Sequence, residues 1–391
     1  MKILLINNYG YARGGAETVY FNLAELLRSK GHEVKLFSKY VRSDENNLVD
    51  FRINESQFFF NRFYSIKSKI KIREALNSFK PDIVHINNII GGITFSILPE
   101  IKKRKIPIVV SVHDFRMLCP AGIFVNGKKE ICEECKVGRY YKCVLNKCNP
   151  EGFVKNLMIA SESYLRDFLF PHKNYFDKYV FVSQFTQNKF LEFHPDLKTK
   201  SEVLYNFTTN FNDVINRGKY FLYFGRLDRE KGVLSLINAF KNLNSLELKI
   251  LGNGEYSDLI SSMKYSNIKY LGYKKGKELQ ELIKNSQYVI IPSECYENLP
   301  MTAVESLSLS KPIIASKLGG LIELVNKEKN GFLFEPANQN SMKEVLIKAN
   351  NISDELYFRL SKNAFNFAYE NFNSERYYNK LISIYKSVLE N

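Results

Sequence analysis

Short apolar runs rich in Ile and Val recur along this chain with helix-type segments between them, and this alternation limits the fold more than any other feature. In the first half the runs are "KILLIN", "EVKLF", "DIVHI", "IPIVVSV", "KYVFVS" and "EVLYN". In the second half they are "YFLYFG", "LELKILG", "IKYLG", "YVIIP", "PIIAS" and "GFLFE". Strands that are apolar throughout are buried on both faces, and alternation with helices makes them parallel. Both halves also open alike. "KILLINNYGYARGGAETVYFNLAELL" and "KYFLYFGRLDREKGVLSLINAF" each read as strand, glycine-containing loop and amphipathic helix. An α/β chain of two doubly wound, Rossmann-like domains follows, and 391 residues is more than one core usually organises. The predicted domains are 1–205 and 206–372, divided at the polar run "NFTTNFNDVINRG", with 373–391 a helix packing back toward the first domain. Ligands of such sheets gather at the carboxyl ends of the strands. The expected site is therefore a central cleft that the two domains face.

The first apolar run stops at Asn7, too short for a secretory segment, and "IVHINNIIGGITFSIL" is interrupted by polar residues and a Gly pair. It falls short of a membrane span, so a cytoplasmic protein is expected. Neither opening loop contains G-x-G-x-x-G, which disfavours a dinucleotide oxidoreductase. The net charge of +15 suits nucleic acid, an anionic membrane surface or a phosphorylated substrate, and equally an AT-rich genome that favours lysine. Charge alone does not choose among these.

The stretch "SECYENLPMTAVESLSLSKPIIAS" sets Glu297 and Glu305 on either side of a helix start near Leu299, with Pro300 in the first turn. An ionised carboxylate accepts from both hydroxyls of a vicinal diol, such as that of ribose or a hexose, while the N–H groups at a helix start favour phosphate. Two solvated acids near a helix start are the plainer alternative. The loop "GRLDREKG" adds Arg226 and Lys231, two cations suited to a diphosphate. In the first domain, Gly14 and Gly15 would let backbone approach a ligand closely. His113 ends an apolar strand, where it is either a packed histidine or a ligand-orienting one.

In order and spacing, "GGAE", "VVSVHDF", "FVSQFT", "VLYNF", "FGRLDREKG", "LGNGEY", "YLGY", the Glu297–Glu305 stretch and "GFLF" resemble the family 4 retaining glycosyltransferases of GT-B fold, over essentially the whole chain. The resemblance implies a nucleotide diphosphate sugar as co-substrate, with no catalytic divalent metal. It implies that Glu297 contacts the donor sugar and Glu305 the ribose, with Asn298 and Leu299 at the same donor site. Arg226 and Lys231 would hold the diphosphate, helped by Gly14 and Gly15; Gly272 would lie near the base and His113 near the transferred sugar. His113, Glu297, Arg226 and Lys231 are thereby the candidate catalytic residues. The implied acceptor is a glycan or lipid-linked glycan, as in lipopolysaccharide or capsule biosynthesis. Cys295, Ser310 (where relatives frequently have Gly) and the "ENLP" segment depart from the usual pattern and bear on the donor sugar rather than the reaction class. A related epimerase or hydrolase, or a non-catalytic binder of anionic lipid, is the alternative.

The first domain also carries a cysteine-rich insertion over 119–148, where Cys132, Cys135, Cys143 and Cys148 suggest a closed structural zinc site, packed reduced thiols being the alternative. Residues 57–80 interleave aromatics with Arg62, Lys67, Lys69, Lys71, Arg73 and Lys80. That pattern suits contact with an anionic membrane surface, placing the protein peripherally on the inner face of the cell membrane, or else a helix packed by its aromatics. No nucleic-acid-binding module is recognisable, so no nucleic-acid partner is expected.

Overall fold

The computed structural model describes residues 1–390 except 12–13, 41–48, 54–58 and 327–328. The chain divides into two compact units, Met1–Leu204 with Tyr377–Asn391, and Tyr205–Arg376. The break stands just ahead of the polar run.

In the first unit, seven parallel strands are ordered β3-β2-β1-β4-β5-β6-β7. They are β1 (Lys2–Tyr9), β2 (Glu33–Tyr40), β3 (Phe51–Arg52), β4 (Ile83–Asn88), β5 (Ile108–Val112), β6 (Lys178–Phe181) and β7 (Ser201–Val203). Strand β3 has two residues, too few to show a period, and escapes the sequence reading. The second unit orders six parallel strands β10-β9-β8-β11-β12-β13. These are β8 (Tyr220–Phe224), β9 (Glu247–Leu251), β10 (Ile268–Tyr270), β11 (Tyr288–Ile291), β12 (Ile313–Ser316) and β13 (Gly331–Phe334). Every residue of β5, β8, β11 and β12 is buried, as sheets covered on both faces require. Both sheets reverse their winding at one place, between β1 and β4 and between β8 and β11. Loops leaving the carboxyl ends of those strands diverge there and leave a crevice for a ligand.

The helix Met301–Ser308 starts later than the sequence suggested. Pro300 is its N-cap, with ψ at 125°, and its carbonyl accepts from the N–H groups of Ala303 and Val304. Proline has no N–H to lose at a helix start and its φ is already helical, so one residue of displacement costs little.

Of the basic stretch 57–80, Gln57 and Phe58 lie outside the described residues. The helix Ile66–Phe79 buries Ser68, Ile72, Ala75, Leu76 and Phe79. Arg73 donates twice to Glu100, Lys69 lies 4.0 Å from the same carboxylate, and Arg62 lies 3.9 Å from Glu162. Much of its positive charge is thus directed at the protein itself.

Candidate active site

The second unit supplies the loops after β8 and β11, on either side of its winding reversal. Their approach is set by glycine. Gly232 has φ at 69°, and a Cβ there would stand 1.9 Å from the carbonyl oxygen of Pro292. Across that contact the Lys231 Nζ donates to Glu297 Oε1 at 2.6 Å, and Ser293 Oγ donates to the same oxygen at 2.5 Å. Gly319 and Gly320 support the other side of the loop. Cβ atoms there would stand 2.6 Å from Glu297 O and 1.9 Å from Asn298 O, and the Gly320 N–H donates to Glu297 O at 2.7 Å. Asn298 is held by the same contact, and Leu299 beside it is buried.

Burial works to raise the Glu297 carboxyl, but the adjacent Lys231 ammonium outweighs it and holds the group below its ordinary range. For Lys231, burial works downward and Glu297 prevails, so the ammonium is retained. The site therefore holds an ionised pair, its carboxylate buried and its ammonium partly exposed. Arg226 is turned the other way: it bonds Asp228, and its Nη2 donates to Glu230 Oε1 at 2.8 Å. The expected cation is present but is held by two acids of its own loop. Cys295 is buried, and burial with the nearby Glu297 charge pushes its thiol up to about 12, which excludes a thiolate at neutral pH.

Glu305 stands apart, half-buried inside the helix, and burial raises its carboxyl to about 7. Gly272 follows β10 with φ at 70°, and its carbonyl accepts from the Gly252 N–H at 3.0 Å. The positive φ accounts for glycine there.

In the first unit, a pocket at the carboxyl ends of β4 and β5 is lined by residues that include Asn87, Asn88, His113 and Asp114. Burial pushes the His113 imidazole down to about 4, so it is neutral at physiological pH. Asn87 was not anticipated from the sequence: it is 6% exposed, and neither its amide oxygen nor its amide nitrogen has a hydrogen-bond partner. A buried, unpaired amide is costly, so a polar group from outside would be favoured there. Gly14 precedes the helix Gly15–Ser29 in extended backbone, and the nearest neighbour of a Cβ placed there would be Glu17 at 3.5 Å. Among the described residues no contact demands glycine at that position.

The cysteines converge without forming a ligand set. Cys135 and Cys143 are buried in an apolar cluster with Tyr140 and Met158, and Cys148 packs against it. Cys143 also hydrogen-bonds Cys148, raising its own thiol and lowering that of its neighbour. Cys132 instead accepts from Asn146 Nδ2 at 3.5 Å. All are free thiols, and among the described residues no group of three or more His, Cys, Asp or Glu is arranged to hold a metal ion.

Residues 13–208 match the model of Glycosyltransferase Family 4, and residues 208–367 that of Glycosyl transferases group 1. The chain is 26% identical over 375 residues to an uncharacterized glycosyltransferase of Methanocaldococcus jannaschii, covering 94% of this chain and 93% of that protein. It is 30% identical over 141 residues to the lipopolysaccharide 1,2-N-acetylglucosaminetransferase of Salmonella typhimurium, covering 31% and 36%. The crystal structure of Anabaena HepE in complex with UDP-glucose superposes with a TM-score of 0.70 at 17% identity, covering 99% of this chain and 100% of that one.

Proposed function

The chain belongs to glycosyltransferase family 4 and has the GT-B fold, and from that premise we propose that it moves a hexose from a nucleotide diphosphate donor to a lipid-linked or cell-surface glycan with retention of anomeric configuration. The observation that carries the donor reading is the Lys231–Glu297 ion pair at the winding reversal of the second sheet. An arriving diphosphate takes the Lys231 ammonium, and the Glu297 carboxylate is then free to accept from hydroxyls of the transferred sugar. Glu305 accepts from the ribose diol. As the bond to the departing diphosphate lengthens, its growing charge is met by Lys231, by Arg226 released from Asp228 and Glu230, and by the N–H groups at the start of the helix Met301–Ser308.

In the first unit, the neutral His113 orients the transferred sugar by hydrogen bonding, and the Asn87 amide offers a donor and an acceptor to an acceptor hydroxyl. Gly14 and Gly15 leave room for the donor phosphates. The UDP-glucose bound by HepE supports a nucleotide sugar, and the lipopolysaccharide substrate in the name of the Salmonella relative supports the acceptor class. Such an acceptor would place the enzyme at the inner face of the cell membrane. A structural zinc ion on the clustered thiols remains a separate proposal, resting on their spacing.

The test is a thermal-shift series with uridine, guanosine and adenosine diphosphates and their sugars. One base should raise the melting temperature, as a ligand of the folded form must, and Glu305→Ala should abolish that rise. Absence of a rise with every nucleotide would overturn the proposal.

A further inference from the structure

Of the 22 large apolar side chains exposed among the described residues, 11 lie between 131 and 169. The helix Phe153–Leu169 shows why. Its residues Phe153, Val154, Leu157, Leu165, Phe168 and Leu169 are all exposed, Phe153 by 69%, Val154 by 74% and Phe168 by 81%. At 100° per residue they occupy one continuous arc. The charged residues Lys155, Glu162, Arg166 and Asp167 lie off that arc, and Glu162 and Arg166 are buried. This helix therefore buries a mixed side, with Met158, Ile159 and Ala160 beside Asn156, Glu162 and Arg166, and still presents its largest apolar side chains outward. The short helix Tyr141–Leu145 packs on it and extends the surface with Tyr141 and Leu145.

We propose that this face docks on an anionic membrane surface. It is independent of the sugar chemistry above, and it moves the membrane contact away from 57–80. Two observations choose the occupant. Exposed basic residues are interleaved with the apolar ones: Val137 lies between Lys136 and Arg139, and Leu145 is two residues from Lys147. Between 128 and 155 the chain carries seven basic and four acidic residues. Anionic headgroups complement such a rim, whereas a second copy would bring the same cations face to face. The helix has 17 residues, about 25 Å of length that suits lying in the headgroup plane. Among the described residues no helix is long and apolar enough to cross a membrane.

The test is co-sedimentation of the whole chain with vesicles of phosphatidylcholine alone, or of an equal mixture with phosphatidylglycerol, without donor or acceptor. The protein should sediment with mixed vesicles and be released by salt. The double variant Leu157→Ser, Phe168→Ser should bind at least about ten-fold more weakly, since each large apolar side chain contributes on that order. Lys136→Glu with Arg139→Glu should weaken binding and flatten its salt dependence. Unchanged melting temperatures establish that these surface variants fold. Equal sedimentation with neutral vesicles, undiminished binding by the serine pair, or no binding by the wild type would each overturn the proposal. So would a dimer in solution that the serine pair converts to monomer, because the face would then join copies of the chain.

Discussion

Glu297 and Glu305 are of the same residue type, eight positions apart, in opposite electrostatic states. One is held ionised by the adjacent lysine; the other is pushed to about 7 by burial. Their variants should separate accordingly. Glu305→Ala should weaken nucleoside diphosphate and intact donor alike, by roughly ten- to a hundred-fold, as loss of a charged hydrogen-bond partner does. Glu297→Ala should leave nucleoside diphosphate binding within a few-fold and reduce turnover; equal weakening by both would refute the division. Titration supplies a second test. A ribose diol donates to an ionised carboxylate, so binding must draw the proton from Glu305. Nucleoside diphosphate affinity should rise as pH rises from 6 toward 8. In Glu305→Gln that rise should shrink to what the phosphate's own ionisation contributes, and an identical rise in both proteins would count against the ribose role. At this scale the sequence showed residue types but not their engagements. Lys231 and Glu297 were both legible, their bond was not, and Arg226 is held by acids of the same short loop. The isolation of the Asn87 amide depends on neighbours from other strands, which no local pattern reveals.

Among elements, the parallel strands were legible because burial on both faces leaves uninterrupted apolar runs, whereas β3 is too short to leave one. The turn after the helix Met301–Ser308 is more instructive. Ser310, noted as standing where relatives carry glycine, has φ at 60° and donates through Oγ to the Asn212 carbonyl at 2.7 Å. The left-handed conformation explains the usual glycine, and the hydroxyl offsets the strain on serine. Ser310→Ala should therefore cost about 1 kcal/mol or slightly more, keeping the strain and losing the bond, while Ser310→Gly should be nearly neutral. Denaturant midpoints would check this, and equal loss in both variants would mean that the hydroxyl alone matters. For the cysteine insertion, the zinc proposal expects about one metal per chain and a lower melting temperature for Cys132→Ser. Metal-free protein of unchanged stability would end it.

For the molecule as a whole, the distribution of histidine is uneven. All five, His32, His85, His113, His172 and His194, lie in the first unit, and each is depressed chiefly by burial. A depressed imidazole binds fewer protons folded than unfolded, so stability is lost as pH falls below about 6.5 toward the folded values. At pH 5, buried His85 and His172 should each cost the first unit about 2 kcal/mol, offset in part by the raised carboxyl of Glu162. In the second unit Glu305 acts with the opposite sign, gaining stability as pH falls from 7. Calorimetry at pH 7 and pH 5 should show the first unit's transition moving down further than the second's; parallel movement would contradict this. The first unit has another peculiarity. His85 bonds Tyr385 at 2.5 Å, and the helix Ser374–Leu389 buries Tyr377, Leu381, Ile384 and Tyr385. Residues 1–204 therefore lack part of their own core until 377–391 join them. During synthesis the ribosome delivers all of the second unit before it delivers the segment that completes the first. The unit that starts earlier must finish later, and its half-built apolar surface would depend on chaperones in the interval.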